Sequence, residues 1–149
     1  MDDTRWMKAA LAEASRAAAV GEVPVGAVIV RDGRIVARGS NRPVRSSDPT
    51  AHAEIVAIRR AARKAANYRI PDCDLYVTVE PCAMCLGAIV QARVRRLIFG
   101  AADPKAGAVS STMRFPFGRL NHRPEIRGGL LAAESASLLR DFFRARRND

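Results

Sequence analysis

CDLYVTVEPCAMCLGAIVQARVRRLIFG, residues 73–100, reads as a strand, a helix and a second strand. The run 73–79 is dense in apolar and β-branched residues, as in a strand buried on both faces. Pro81 stops it. Residues 83–92 fit a short helix, and VRRLIFG (94–100) fits another strand. Upstream, two β-branched runs flank Asp32-Gly33, a strong hairpin signal. Met7, Ala10, Leu11, Ala14, Ala17 and Ala18 recur at helical spacing over 4–20, with Gly21 placed to end that helix. Residues 41–50 read as loop, and Asp48 or Thr50 is placed to cap a helix over about 51–66. Downstream lie a long loop (101–123), a short candidate strand in PEIRG and a last helix over 129–146. A hairpin followed by alternating helices and strands implies an α/β fold, a mixed sheet with helices on both faces. No linker, repeat or low-complexity segment divides residues 1–149, so one domain is expected.

Hydrophobic residues make up 48% of the chain, which excludes a disordered protein. No apolar run is long enough for a membrane span. The first residues, MDDTRWMKAALAEASR, begin with acids and carry charges among their apolar positions, unlike a signal peptide. Three cysteines are too few, and odd in number, for a disulfide scaffold, so a reducing, cytoplasmic setting is expected. The net charge of +10, from 25 basic and 15 acidic residues, favours polyanionic partners, nucleic acid first. A merely solvated basic surface is the alternative.

Two of the three cysteines, Cys82 and Cys85, stand three apart where strand gives way to helix. That fragment suits a dithiol redox pair, because a helix start lowers a thiol pKa. It equally suits a metal, because both thiolates can point the same way from one helical turn. His52 and Glu54, in TAHAEIVAI, fall at the start of the preceding helix and favour the metal. Zinc takes two thiolates and an imidazole; its fourth position, closed or open, separates a structural site from a catalytic one. Cys73 opens the strand that the cysteine pair follows, roughly 25–30 Å away at standard rise, and is a poor fourth ligand. His122, in the long loop, and Glu54 both stay open for that place. A carboxylate beside a metal-activated water is more useful as a proton carrier.

His52-Ala53-Glu54 with Pro81-Cys82-Ala83-Met84-Cys85 is identified as the H-x-E…P-C-x-x-C signature of zinc-dependent nucleobase deaminases. The resemblance extends further. GEVPVGAVIV, NRP, DPTAHAEI, NYRI, LYVTVEPCAMC, LIFGAADPKAGA, LNHR and LLRDFFRARR resemble the bacterial tRNA adenosine deaminases, which convert the wobble adenosine of an anticodon to inosine. The resemblance runs from about residue 21 to the end. It implies a cytidine-deaminase-like three-layer α/β/α sandwich on a central mixed five-stranded sheet. It also implies one Zn²⁺ per subunit held by His52, Cys82 and Cys85, and a homodimer in which each site is completed by its neighbour. The partner it implies is a tRNA anticodon stem-loop, whose loop bases are already unpaired and are extruded cheaply.

Carried over residue by residue, the resemblance makes Glu54 the proton carrier between water, adenine N1 and the leaving amine. Asn41 hydrogen-bonds the target nucleoside, the Ala53 amide holds the base edge and Pro24 lines its pocket. Asp103 and Lys105 meet the anticodon, and Phe143 shapes the place of a flanking base. The Glu80 backbone is a weaker candidate for binding the water or leaving group. The chain departs from the family pattern at Leu86, Gln91, Ala92, Ser135 and the loop TMRFPFGRLNHR (112–123). The nearest alternative is a free nucleobase or nucleoside deaminase of the guanine or cytosine type. A zinc-stabilised RNA-binding module is a further one and requires a fourth protein ligand.

Overall fold

The computed structural model describes residues 2–147. In chain order the elements are α1 (Asp3–Ala19), β1 (Gly26–Arg31), β2 (Arg34–Ser40), α2 (Pro43–Ser46), α3 (Ala53–Ala65), β3 (Asp74–Val79), α4 (Ala83–Ala92) and β4 (Arg96–Ala101). A 3₁₀ turn (Phe117–Arg119), β5 (Glu125–Arg127) and α5 (Ala132–Arg147) complete it. The five-stranded sheet has the order β2-β1-β3-β4-β5. β1 runs antiparallel to β2 and β3, and β3, β4 and β5 are parallel. The expected mixed sheet is therefore present.

Period-two alternation divides the strands between two cores. Ala27, Ile29, Leu75, Val77, Leu97 and Phe99 face a layer built from Ala53, Ala57 and Ile58 of α3 and Leu86, Ile89 and Val90 of α4. Val28, Val30, Tyr76 and Ile98 face Trp6, Met7 and Ala10 of α1 on the other side. That is the α/β/α sandwich. Leu86, a departure from the family pattern, is fully buried under α4. The α1 layer lies so close to the sheet that a Cβ on Gly26 would strike the backbone of Ala10 and Ala14.

Local signals hold where the chain closes its own bonds. Asp32 (φ 51°) and Gly33 (φ 71°) both take the left-handed region that a two-residue hairpin turn requires. Gly21 and Glu22 close α1 by donating to the carbonyls of Ala18 and Ala17. Two expectations differ. The N-cap of α3 is His52, not Asp48 or Thr50; the Thr50 amide and hydroxyl donate to the Asp48 carboxylate at 2.9 and 2.7 Å and form a turn before the helix. The loop after β2 contains the one-turn α2, whose Val44 and Arg45 amides donate to buried Glu22 at 3.2 and 2.7 Å.

An ionic network ties the start of α1 to the sheet. Asp3 accepts from Arg96 at 2.8 Å, Arg127 at 3.1 Å and the Tyr76 hydroxyl at 2.5 Å. Asp74 accepts a two-pronged bond from Arg95, both arms 2.9 Å.

Candidate active site

The site lies beyond the carboxyl ends of β3 and β4, where two helices start. His52 is the N-cap residue of α3 and Cys82 the N-cap residue of α4; neither helix has a side-chain cap bond. Their first turns present N–H groups and positive dipole ends to one place, which favours negative charge there. Cys85 follows Cys82 by one turn of α4 and is fully buried.

His52 Nδ1 stands 3.6 Å from the sulfur of Cys82 and 3.6 Å from that of Cys85. Around tetrahedral zinc, with Zn–S about 2.3 Å and Zn–N about 2.0–2.1 Å, the S···N edge is about 3.6 Å. The three donors thus already have the spacing such an ion imposes. Among the described residues they are the one His/Cys/Asp/Glu group whose ligand atoms gather closely enough to hold a metal. His122 is elsewhere: its Nε2 donates to the Val94 carbonyl. Cys73 is also outside the group.

The thiols differ sharply in the metal-free protein. A hydrogen bond from Cys85 holds Cys82 down at about 4, with His52 adding to the effect. The same bond and burial push Cys85 far up. His52 is raised, chiefly by its bond to Cys82. Glu54 is buried, and burial raises its carboxyl. A raised carboxyl comes nearer to the range where one group both takes and gives a proton.

A cavity of about 180 Å³ opens over this cluster, lined by His52, Glu54, Cys82, Asn41, Glu80 and Asp103 with Val23, Val25, Val79 and Ala106. It is smaller than the roughly 300–1,000 Å³ typical of drug-sized ligands and suits a single base. Asn41, Asp103, His52, Glu54 and Cys82 thus line one cavity. Ala53 is buried between two of them at the first turn of α3. Pro24 is buried, and its neighbours Val23 and Val25 supply the lining. Lys105 and Phe143 line a neighbouring cavity of about 360 Å³, which shares Val23, Val25, Val79 and Asp103 with the first. Lys105 and Phe143 also border a third, of about 330 Å³, with Arg146 and Arg147. Arg146 is fixed there by its bond to the Gly21 carbonyl and its stacking 4.6 Å above Phe142.

Sequence reasoning missed the side chains of Glu22 and Glu80. Both are buried acids whose partners are backbone amides far along the chain, so no local pattern marks them.

The arrangement has known counterparts. The MafB19-like deaminase family model matches residues 1–147. The tRNA-specific adenosine deaminase of Agrobacterium fabrum is 51% identical over 98% of this chain and 97% of its own. That of Haemophilus influenzae is 48% identical over 99% of this chain and 86% of its own. A structure from studies of A-to-I editing by tRNA:A34 deaminases at the wobble position superposes with a TM-score of 0.87. It is 50% identical and covers 91% of this chain and 99% of that one. Guanine deaminase of Nitrosomonas europaea superposes at 0.82 with 26% identity, covering 93% of this chain and 83% of that one. With its paired H-x-E and P-C-x-x-C motifs converging on one cavity, the chain belongs to the MafB19-like deaminases and, among them, to the tRNA-specific adenosine deaminase family.

Proposed function

We propose that this chain, as a single deaminase domain, hydrolyses the wobble adenosine of a tRNA anticodon to inosine and releases ammonia. The observation that carries this reading is the convergence of His52, Cys82, Cys85, Glu54 and Asn41 on one base-sized cavity. His52 and the two cysteines would hold one zinc ion per chain, with no fourth protein ligand among the described residues. When bound, such an ion supplies a Lewis acid that makes water a nucleophile near neutral pH. Glu54 would take one proton from the water and pass it to adenine N1 as the water oxygen adds to C6, then take the proton of the new C6 hydroxyl and give it to the amine, so that the C6–N bond breaks and ammonia leaves. Asn41 and the Ala53 amide orient the nucleoside, and the Glu54 carboxyl is buried away from bulk water.

Three adjoining cavities support an RNA substrate. They lead from the base-sized cavity past Phe143 to Lys105, Arg146 and Arg147. A free base would need only the first. Phe143 is placed to stack on a flanking base and the cations to meet phosphates. The Asp103 carboxylate accepts from the Lys105 and Ala106 amides and so shapes the loop between the cavities. A homodimer is part of this reading through the family relationship. A cytoplasmic location follows from the substrate; among the described residues no helix is long and apolar enough to cross a membrane.

Free guanine is the second substrate to consider, since a guanine deaminase shares the fold closely. The test is deamination of a tRNA carrying adenosine at the wobble position, beside free adenosine, cytidine, cytosine and guanine. Inosine at that one position, reduced about 10²–10⁴-fold in a Glu54→Ala variant that keeps its metal, is expected. Ammonia from a free base alone would move the chain to the second reading.

A further inference from the structure

Glu80 is buried and lines the catalytic cavity, and its carboxylate is saturated by one loop. Its Oε2 accepts from the amides of Val109, Ser110 and Ser111 at 3.0, 3.0 and 3.2 Å. Its Oε1 accepts from the Asp103 amide at 3.1 Å and from the Ser111 hydroxyl. Two stretches of the β4–β5 connection, 103 and 109–111, are thereby fastened to one side chain. The residues between them form a wall: Ala106 faces the base-sized cavity, and Pro104 and Lys105 face its neighbour. Gly107 lies against the fastening point, where a Cβ would come within 2.5 Å of Oε1. Only an ionised carboxylate accepts at both ends. A glutamine would turn its NH₂ either on three amides or on the Asp103 amide.

We propose that Glu80 is a positioning residue, whose carboxylate holds residues 103–111 as the wall between the target-base cavity and the cavity for its neighbour. This rests on the RNA-deaminase reading above. The alignment of a bound base depends on that wall, so its displacement weakens substrate binding before it touches the metal ligands.

The test compares metal-loaded wild type with Glu80→Gln, Gly107→Ala, their combination and Ser111→Ala. Amide hydrogen exchange at 109–111, metal content, and KM and kcat on an anticodon stem-loop with wobble adenosine are read. In Glu80→Gln, exchange at 109–111 should rise about tenfold or more, with metal content unchanged. KM should rise about tenfold and kcat stay within about threefold. Gly107→Ala should do the same and the combination add little, because both act on one contact. Ser111→Ala should shift in the same direction by less.

Unchanged exchange, lost metal, a fall in kcat at constant KM, or full additivity of the pair would each overturn the proposal. If Glu80→Gln does not fold, Gly107→Ala and Ser111→Ala carry the test. If wild type leaves the stem-loop untouched, the RNA reading fails by itself, and exchange and metal content still judge the role of Glu80.

Discussion

His122 turns its Nε2 onto the carbonyl oxygen of Val94, 2.6 Å away, and so stands outside the His52, Cys82 and Cys85 cluster. The alternative of a closed, four-ligand structural site loses its ligand. His122→Ala should leave metal stoichiometry at one per chain, while Cys82→Ser should abolish tight binding. Elemental analysis of both variants checks this; loss of metal from His122→Ala would restore the structural-site reading.

Stripping the metal should expose unequal thiols. Cys82, held at about 4, stays a thiolate through the neutral range, whereas burial pushes Cys73 up to about 11. Thiolates are the reactive form. Alkylation of the metal-free protein at pH 6 should label Cys82 first, with the buried thiols Cys73 and Cys85 far behind, and prior reloading with zinc should protect Cys82. Peptide mass spectrometry reads the order; uniform labelling would contradict it.

The Asp3 network should set part of the acid sensitivity. The hydrogen bond from Arg96 leads in holding the Asp3 carboxyl below its ordinary 3.8, against burial, which raises it. A carboxyl depressed in the folded state contributes stability that is complete above the unfolded value and lost as pH falls through the folded one. Asp3→Asn should cost roughly 3 kcal/mol at pH 7, the low end for breaking a buried pair, since Arg96 keeps Asp74. It should also flatten the fall in stability below pH 4. Urea midpoints at pH 7 and pH 3 measure both effects; an equal loss at the two pH values would remove Asp3 from the account.

The basic rim should govern RNA affinity more than chemistry. Lys105→Gln with Arg147→Gln removes two cations from the outer cavity, which the catalytic cluster does not include. Binding of tRNA should weaken at low salt, and the slope of log K against log[salt] should shrink by about 1–2. Filter binding across a salt series shows it, and an unchanged slope would place the phosphates elsewhere.

Much of this protein was legible in local patterns. The hairpin at Asp32-Gly33, the buried strand before Pro81, the helices and the Cys82–Cys85 spacing depend on periodicity, turn geometry and ligand chemistry. Those are properties of a few consecutive residues. The α3 cap was misread because Asp48 and Thr50 satisfy each other in a turn, which left His52 at the helix start. The single turn α2 was unseen because its amides are capped by Glu22, more than twenty residues upstream.

The chain order alone thus carried the layers and the cysteine pair, while the chemistry and the full donor set came from the resemblance to the deaminase family. Folding settled which of two histidines joins them, that Val23 and Val25 rather than the intervening Pro24 line the cavity, and what the buried acids do. Asp3, Glu22 and Glu80 look alike in sequence. Each acquires its task from charged groups or backbone amides brought from distant segments, and a buried carboxylate can be stable only where such partners meet.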